Sequence, residues 1–274
     1  MGKRIQRENT SGVDINQKIV AQMWSGGKDS TCAGIKHLER GDKVHFICYI
    51  PMFDADIPLI EKCHWDFQMQ MADFFRSQGA TVHFTHGDYT YWEYCTKILT
   101  RGKRAGSMQS YPCYIKGKCG FNRDSKTPAC NNVAKTLKYD VKDIGLCADE
   151  IGRKKLEAGE CSILQELGIT KQMAFDFCRD NKFLSPTYKN KKRDGCLLCP
   201  HAKASERLKW FEDWKEFNAK ERLIELQRIL IADSKAKGTK QFYPLRNYHY
   251  FIENAGEFIS PNGTRLCMFG DTIN

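Results

Sequence analysis

The stretch Lys18–Ser30, KIVAQMWSGGKDS, decides the expected fold of this chain. Residues 18–24 are mainly apolar and predict a short buried strand. The serine and glycines at 25–27 predict a tight turn, and a helix is expected from Asp29 to about Arg40. A buried strand, a glycine turn and a helix in this order start an α/β unit.

The same alternation continues along the chain. Further strands are expected at 44–50, 81–85 and 142–147, and a helix at roughly 57–77. Because strands that alternate with helices pair in parallel, the chain is predicted to be an α/β protein with a doubly wound parallel sheet.

Three parts are expected along the chain. Residues 1–17 are polar and form a flexible N-terminal segment. Residues 18–160 form the nucleotide-binding α/β domain, in which 101–135 is interpreted as a long functional loop because it has no clean periodicity. Residues 161–274 form a C-terminal, mostly helical extension that bears cysteines, with an amphipathic helical region at 202–236.

Composition supports a folded protein in the cytoplasm. The chain has 274 residues, of which 41% are hydrophobic and 28% charged. No apolar run approaches the roughly 18 residues that cross a bilayer, and the N-terminus has no apolar signal core. A membrane partner is therefore not expected.

The net charge and the cysteine content indicate which ligands and which chemistry to expect. The net charge of +10 favours polyanions such as nucleotides and nucleic acids, although it is also compatible with solubility alone. Thirteen cysteines in a reducing compartment indicate metal binding or thiol chemistry rather than disulfides. Cys32, Cys48 and Cys95 are expected to be ordinary core residues.

The hexapeptide Ser25-Gly26-Gly27-Lys28-Asp29-Ser30 predicts a phosphate-binding loop. Glycines let the backbone approach phosphate oxygens, and helix N-terminal amides, an ammonium and two hydroxyls supply donors. It differs from the nucleoside-triphosphatase P-loop, which needs glycine where Gln22 stands and a hydroxyl residue where Asp29 stands. The alternative is an incidental strand-to-helix turn.

This hexapeptide resembles the PP-loop ATP pyrophosphatase superfamily, whose members split ATP between the α and β phosphates. Other stretches resemble the phosphoadenosine phosphosulfate (PAPS) reductase-like branch and a subgroup of it often found in phages and mobile elements. These stretches are Ile144–Glu150 with Arg153, Lys118-Cys119 with Lys126 and Pro128, Leu184–Tyr188, and Arg193–Pro200.

The resemblance implies an adenine nucleotide alpha hydrolase-like fold that binds ATP and Mg²⁺. The implied nucleotide-binding residues are Ser25, Gly26, Gly27, Lys28, Asp29, Ser30, Tyr49, Ile50, Gly145, Asp149, Glu150 and Arg153. Tyr49 and Ile50 would face the adenine, and Asp149, Glu150 and Arg153 would close the far side. Asp149 and Glu150 have an alternative interpretation as carboxylates that favour a helix N-terminus. Lys28, Asp29 and Cys119 are the candidate catalytic residues, with Asp29 a magnesium ligand.

Cys196 and Cys199 form a CxxC at a glycine-bearing turn, which lets two thiolates meet one metal ion. Cys119 and Cys178 are the predicted further ligands, and Cys113, Cys161 and His201 are the other candidates. Sulfur-rich ligation suits either Zn²⁺ or a 4Fe-4S cluster. A redox dithiol and incidental buried cysteines remain alternatives.

The expected loop also mixes basic and aromatic residues, which can hold a nucleic-acid backbone and stack on bases. Its residues are Arg101, Lys103, Arg104, Lys116, Lys118, Arg123 and Lys126, with Tyr111, Tyr114 and Phe121. A solvated loop is the equal alternative.

Three functions follow as hypotheses. The first is an enzyme that binds ATP and Mg²⁺, adenylates an acceptor and releases pyrophosphate, coupled to sulfur transfer. Its candidate partners are tRNA or DNA as acceptor and a sulfur-donor protein. The second is a true PAPS reductase, although Cys267 matches the reductase's C-terminal cysteine only loosely. The third is a metal-containing nucleic-acid-binding module without turnover.

Overall fold

The computed structural model describes residues 17–112, 114–115, 118–150, 152–189, 191, 195–199, 204–237, 250–252, 257–259 and 265–266. The expected N-terminal segment, apart from residue 17, lies outside the described residues. So do Cys113, Lys116, Arg193, His201 and Cys267, which the sequence singles out.

Strands and helices alternate through the first part of the described chain. The strands are β1 (Ile19–Trp24), β2 (Lys43–Tyr49), β3 (Met52–Asp54), β4 (Ile57–Pro58), β5 (Thr81–Thr85), β6 (Tyr114–Ile115), β7 (Lys118–Cys119), β8 (Val141–Ile144), β9 (Glu160–Cys161), β10 (Tyr250–Ile252), β11 (Glu257–Ile259) and β12 (Arg265–Leu266). The helices are α1 (Lys28–Arg40), α2 (Lys62–Ser77), α3 (Tyr91–Thr96), α4 (Thr127–Thr136), α5 (Ile163–Glu166), α6 (Lys171–Asp180), α7 (Ala204–Asp213) and α8 (Ala219–Ala236).

A five-stranded sheet confirms the predicted α/β class. Its order is β5-β2-β1-β8-β9, and every neighbouring pair in it is parallel. The chain moves outward from β1 through β2 to β5, and then returns to the other side of β1 with β8. The order therefore reverses between β1 and β8, and the carboxyl ends of these two strands border a crevice.

Helices cover both faces of this sheet. On one face, Phe46 of β2 stacks on Phe75 of α2 with ring centroids 3.8 Å apart, and a side chain at Gly34 of α1 would collide with Phe46. On the other face, Ile47 packs in a buried cluster with Ala129 of α4. Phe46 and Ile47 are adjacent, so their side chains point to opposite faces of the strand.

The chain divides into two compact units that interleave along the sequence. The first comprises Met1–Ile50, Cys63–Thr85 and Ala129–Asp194 and contains the parallel sheet. The second comprises Pro51–Lys62, His86–Pro128 and Gly195–Asn274. The linear division into 18–160 and 161–274 places residues of both units in each domain, because contacts rather than chain order define the units.

Tryptophans of α7 and the turn after it anchor the second unit. Trp210 is fully buried, and its Nε1 donates to the Pro58 carbonyl oxygen at 2.8 Å. The Nε1 of Trp214 donates to the Ile60 carbonyl oxygen at 2.9 Å. These hydrogen bonds join the segment that carries β3 and β4 to the helices more than 140 residues later. The C-terminal extension, expected to be mostly helical, also contains β10, β11 and β12, which form an antiparallel sheet.

Two predicted elements begin or end elsewhere. The helix expected at 57–77 starts at Lys62, since the residues before it form the β3–β4 hairpin. Pro58 explains this, because the residue before a proline is biased toward extended backbone. The strand expected at 142–147 ends at Ile144, where the Leu146 amide donates to the Ile144 carbonyl oxygen at 2.6 Å in a tight turn.

Two further expectations are corrected in helical regions. The segment 101–135 is not loop throughout, because its residues are helical from 120 onward and lead into α4. The buried face of α4 consists of Ala129, Cys130 and Ala134, and such small residues give little hydrophobic periodicity. The helical region at 202–236 is broken at Asn218, whose φ of 56° is left-handed. Asparagine tolerates that conformation better than most residues.

Among the described residues, we find no helix with both the length and the apolar character needed to cross a membrane.

Candidate functional site

The predicted phosphate-binding loop lies at the carboxyl end of β1, beside the crevice where the strand order reverses. Ligands of open parallel sheets bind at such switch points. The loop leads into α1, whose N-cap residue, Gly27, provides no side-chain hydrogen bond to the helix. The N-terminus of α1 therefore lies at this edge of the sheet, where the helix dipole favours an anion.

Serine side chains hold the loop from within. The Ser25 amide donates to Ser30 Oγ at 3.2 Å, and Ser30 Oγ donates to the Gly27 carbonyl oxygen at 3.2 Å. Gly26 has a φ of 78°, and a Cβ there would lie 2.8 Å from Gln68 Cγ. Glycine is required at this position both by the backbone conformation and by the space available.

A chain of hydrogen bonds from α2 and the 184–188 segment supports the loop from behind. Gln68 Nε2 donates to the Ser25 carbonyl oxygen at 2.9 Å, and His64 Nε2 donates to the same oxygen at 3.1 Å. In the neutral ring His64 Nδ1 therefore accepts from Ser185 Oγ at 2.8 Å. Ser185 Oγ lies 3.0 Å from Thr187 Oγ1, so this network ties the loop to the 184–188 segment.

Tyr188 provides a direct link between the same segment and the helix N-terminus. The Lys28 amide donates to the Tyr188 hydroxyl oxygen at 3.3 Å. The Leu184–Tyr188 stretch, which the sequence singled out by resemblance, thus has a structural role next to the loop.

Gly145 brings the turn after β8 against the start of α1. A Cβ on Gly145 would lie 3.0 Å from both Cα and N of Ser30 and 3.2 Å from the carbonyl carbon of Asp29. These are backbone atoms, so they cannot move aside as a flexible side chain can. The absence of a side chain at Gly145 therefore permits the close approach of β8 and α1 that narrows the crevice.

Asp29 is placed between a cation and a thiol. Its Oδ1 pairs with Lys28 Nζ and accepts a hydrogen bond from Cys147 Sγ at 3.2 Å. Burial, and then the Asp29 carboxylate, raise the pKa of Cys147, so the thiol remains protonated at neutral pH and acts as a donor. The Asp29 side chain is 26% exposed, which leaves the carboxylate accessible from the crevice.

The residues expected to close the far side of the site make local hydrogen bonds and ion pairs. Asp149 Oδ1 accepts from the Lys171 amide at 3.0 Å, at the start of α6, as in the alternative interpretation of this carboxylate. Glu150 Oε2 accepts from the Cys147 amide at 3.2 Å, and its Oε1 pairs with Arg153 and with Lys171. Burial alone would raise the pKa of Glu150, but these hydrogen bonds outweigh burial and lower it.

Tyr49 and Ile50, expected to face the adenine, are buried at the end of β2. Tyr49 is 6% exposed and Ile50 is 5% exposed. Tyr49 belongs to the cluster beneath α4 that includes Ala129, and the Ile50 amide donates to the Thr85 carbonyl oxygen at 2.8 Å. Both residues support the sheet edge in this structure.

Three of the four predicted metal ligands lie together in the second unit, and a fourth cysteine joins them. Burial, and then the thiols of Cys199 and Cys119, raise the pKa of Cys196. Burial, and then Cys119 and Cys196, raise the pKa of Cys95. Cys95, Cys119, Cys196 and Cys199 are therefore near enough to influence one another's pKa, and we call these four residues the cysteine cluster.

Backbone donors and one arginine surround the cysteine cluster. Although burial raises the pKa of Cys119, the amides of Asn122 and Phe121 donate to its sulfur and oppose that effect. Arg207 is buried, and its Nη2 donates to the Cys199 carbonyl oxygen at 2.9 Å. Cysteine thiolates with N–H donors beside them are the residue type that binds Zn²⁺ or an iron-sulfur cluster, although these described sulfur atoms do not form a group within 4.8 Å of one another.

Cys178, the fourth predicted ligand, belongs to the first unit. Its Sγ donates to the Lys28 carbonyl oxygen at 3.3 Å, and its thiol hydrogen bonds with Cys32. Cys178 thus packs beneath the first turn of α1. Cys95, which the sequence analysis assigned to the core, is fully buried, as expected.

The expected basic loop offers fewer aromatic faces than its sequence indicates. Tyr111 and Phe121 are 5% and 4% exposed. Arg104 Nη2 donates to the Met108 carbonyl oxygen at 2.7 Å, and Arg123 pairs with its neighbour Asp124. Arg101 and Lys103 remain exposed cations. Tyr114 and Lys118 are described only in their backbones.

His37, Asp143 and Cys161 form a group that the sequence did not predict, although Cys161 was among the candidate metal ligands for the CxxC. Their donor atoms all lie within 4.8 Å of one another, so the three residues form a possible metal-binding triad. His64, Gln68 and Cys147 were also missed. His64 and Gln68 are four residues apart on α2, and this shared face was the available signal.

Comparison with models of known protein families found no match for this chain, and comparison with curated proteins found none either. The structure itself gives the class of fold. The chain is an α/β protein with a five-stranded parallel sheet flanked by helices, consistent with a Rossmann-like fold.

Proposed function

We propose that this chain is a PP-loop enzyme of the PAPS reductase-like kind, which binds ATP with Mg²⁺ and transfers AMP to an acceptor with release of pyrophosphate. The observation that carries the proposal is the contact of Gly145 with the first turn of α1 at the switch point of the sheet. It places the N-terminus of α1 at this switch point, and a helix N-terminus suits a polyphosphate.

In the proposed reaction, a nucleophilic oxygen of the acceptor attacks the α-phosphorus of ATP. The bond from the α-phosphorus to the bridging oxygen breaks, and its electron pair leaves with pyrophosphate. The amides of the Ser25–Ser30 loop and the Lys28 ammonium would neutralise the phosphate charge that develops. The acceptor's proton passes to solvent. The adenylated oxygen then becomes a good leaving group for a sulfur nucleophile.

Asp29 fits the role of the magnesium ligand. Mg²⁺ is commonly held by one or two carboxylates together with phosphate oxygens and water. The Asp29 carboxylate is partly exposed at the crevice, and Cys147 and Lys28 hold Oδ1 so that its second oxygen keeps a defined direction. When bound, the ion would neutralise phosphate charge and orient the pyrophosphate leaving group.

The cysteine cluster supports the sulfur-transfer part of the proposal. Four neighbouring thiols could hold a 4Fe-4S cluster that carries sulfur, or a Zn²⁺ that stabilises the second unit. The net charge of +10 and the exposed Arg101 and Lys103 favour a nucleic acid such as tRNA or DNA as acceptor. A sulfur-donor protein would complete the reaction.

The first experiment measures Mg²⁺-dependent ATP binding by calorimetry and the products formed from ATP. We expect wild-type protein to bind ATP and, with its acceptor, to give AMP and pyrophosphate. Asp29→Ala should lose the Mg²⁺ dependence and the turnover. Asp73→Ala is the matched control, since Asp73 is an exposed aspartate of α2 that pairs with Arg76.

Three outcomes separate the hypotheses. Unchanged ATP binding in Asp29→Ala would show that the Ser25–Ser30 loop takes no part in the mechanism. Release of sulfite and adenosine bisphosphate from PAPS, with no reaction of ATP, would favour the reductase. Salt-sensitive nucleic-acid binding without affinity for either nucleotide would favour the binding module.

A further inference from the structure

A polar group outside the nucleotide loop and the cysteine cluster lies between α1 and the sheet. His37 is on the third turn of α1, Asp143 on β8 and Cys161 on β9. His37 and Asp143 are fully buried, and Cys161 is half-buried. Buried polar groups normally pair with a hydrogen-bond partner, so an unpaired group of this kind requires an explanation.

Two atoms of this group lack such a partner. His37 Nε2 and Asp143 Oδ2 have no hydrogen-bond partner among the described residues, although both are inaccessible to solvent. Leaving a buried polar atom unpaired is costly. A bound ion would remove that cost for His37 Nε2 and, where the carboxylate binds the ion through both oxygens, for Asp143 Oδ2.

The sheet register adds a third unpaired atom. Gln22 of β1 is opposite Asp143, and Asp143 is opposite Cys161. Residues at paired positions of neighbouring strands project to the same face, so these three side chains form a row beneath His37. Gln22 is fully buried, and its Oε1 also lacks a partner among the residues that the structure describes.

The other nitrogen of His37 is held as in a metal-binding histidine. His37 Nδ1 lies 2.8 Å from Asp42 Oδ2 and 3.1 Å from Arg40 Nη2. The shorter contact is to a carboxylate, which only accepts, so we assign the proton to Nδ1. Asp42 Oδ2 also accepts from Arg40 Nε at 2.9 Å. A carboxylate that fixes one ring nitrogen directs the lone pair of the other toward a metal, and this arrangement accompanies most histidine ligands.

The distances fit a tetrahedral ion. His37 Nε2 lies 3.6 Å from Asp143 Oδ1, and Cys161 Sγ donates a hydrogen bond to the same oxygen at 3.4 Å. Asp143 Oδ1 also accepts from the Ile163 amide at 2.8 Å, so the ion would share this oxygen with the amide and replace the thiol proton. Metal–ligand bonds of about 2.0–2.3 Å at tetrahedral angles place ligand atoms about 3.3–3.5 Å apart.

We infer that His37, Asp143 and Cys161 bind a divalent metal ion of the zinc type. Imidazole nitrogen, carboxylate oxygen and thiolate sulfur are together the donor set that Zn²⁺ accepts. A neutral imidazole and two anionic ligands also balance the charge of the ion. A four-coordinate ion needs one more donor, from Gln22 Oε1 or from water. The ion would join α1, β8 and β9. Of these, β8 is one of the strands whose carboxyl ends border the crevice.

The test is the zinc content of full-length protein that has been stripped with a chelator, loaded with Zn²⁺ and desalted. Cys161→Ser, which replaces a half-buried sulfur with a similar but weaker ligand, should lose one equivalent of zinc per chain. His37→Gln should lose the same equivalent. Cys63→Ser, at another half-buried cysteine of the first unit, should retain it.

Loading with Co²⁺ provides a second readout. The difference spectrum between wild-type and Cys161→Ser should show a thiolate-to-cobalt charge-transfer band. Bound zinc should raise the Tm of wild-type protein and leave the Tm of Cys161→Ser unchanged, while circular dichroism checks that both variants fold.

The site is independent of the proposed reaction and of the cysteine cluster. Cys196→Ser should remove only the metal of that cluster, and the Cys161→Ser, Cys196→Ser double variant should lose both. Equal zinc content in wild-type, Cys161→Ser and His37→Gln would overturn the inference. The group would then be a protonated imidazole between Asp42 and Asp143, with water completing the hydrogen bonds.

Discussion

The thiol of Cys147 donates a hydrogen bond to Asp29 Oδ1 across 3.2 Å, although the two residues are 118 positions apart in the chain. The contact joins the turn after β8 to the first turn of α1. Burial and the nearby Asp29 carboxylate raise the pKa of Cys147, so the thiol remains a donor through the physiological pH range. Cys147 is therefore a positioning residue for the carboxylate proposed to hold Mg²⁺.

Replacing Cys147 tests this role. Cys147→Ser keeps a hydroxyl donor and should bind Mg²⁺ and ATP nearly as wild-type protein does. Cys147→Ala removes the donor, and the loss of one hydrogen bond, about 1 kcal/mol, should weaken the Mg²⁺ affinity of the ATP complex about fivefold. Calorimetric titration with Mg²⁺ at fixed ATP measures the difference. Equal affinities in the two variants would show that the thiol does not orient Asp29.

Because β8 and α1 approach closely at Gly145, we expect one added methyl group there to lower both stability and ATP affinity. Gly145→Ala places a Cβ 3.0 Å from backbone atoms of Ser30, so β8 and α1 must separate. We expect a stability loss of about 1–3 kcal/mol and an ATP affinity about tenfold weaker. Urea unfolding and calorimetry measure the two effects.

Gly168→Ala is the control for this substitution. Gly168 has a φ of 67° with no atom within 4 Å of an added Cβ, so its replacement should cost about 1 kcal/mol through backbone strain alone. Its ATP affinity should not change. If Gly145→Ala behaves like this control, the crevice does not depend on the close approach.

The cysteine cluster predicts which thiols carry metal. Cys95→Ser and Cys196→Ser should each lose the iron or zinc that the cluster holds in anaerobically purified protein, since a hydroxyl is a poor replacement for a thiolate. Cys178→Ser should retain that metal, because Cys178 hydrogen bonds to the Lys28 carbonyl oxygen in the first unit. Metal analysis and an absorption spectrum measure all three variants. Loss of metal in Cys178→Ser with retention in Cys95→Ser would reverse the assignment.

The lowered pKa of Glu160 predicts that part of the free energy of unfolding is lost in acid. Burial alone would raise its pKa, but hydrogen bonds from Lys142 and Lys154 outweigh burial and lower it to about 2. A lowered carboxyl pKa stabilises the fold above the unfolded value of 4.5, and this stabilisation is lost as pH falls toward about 2. At neutral pH it amounts to at most about 3 kcal/mol.

Urea unfolding of Glu160→Gln tests this dependence. The variant should be less stable than wild-type protein by about 1–3 kcal/mol at pH 7, and the difference should shrink between pH 4.5 and pH 2. Glu157→Gln, at an exposed neighbour, should show little change at either pH. If the stability difference between Glu160→Gln and wild-type protein does not vary with pH, it arises from packing rather than from the ion pairs.

Local sequence patterns were sufficient for four strands of the central sheet, but not for β9, which has only two residues. Three features depend only on residues that are neighbours in the chain, so the sequence predicts them directly. They are the apolar run that forms β1, the glycines after it and the regular alternation to β2 and β5. The CxxC at Cys196 and Cys199 was readable for the same reason. Patterns failed where the buried face is made of small residues, as in α4, because alanine and cysteine give a weak hydrophobic period.

The sequence by itself determined the parallel α/β core, the loop at Ser25–Ser30 and the presence of cysteines suited to metal. Only the tertiary structure decided which distant residues meet. It joined Cys147 to Asp29, and it placed Cys95 near Cys196 and His37 near Asp143. The physical reason is that a motif is defined by covalent neighbours, whereas these contacts arise when separate strands and helices bury their apolar faces against one another.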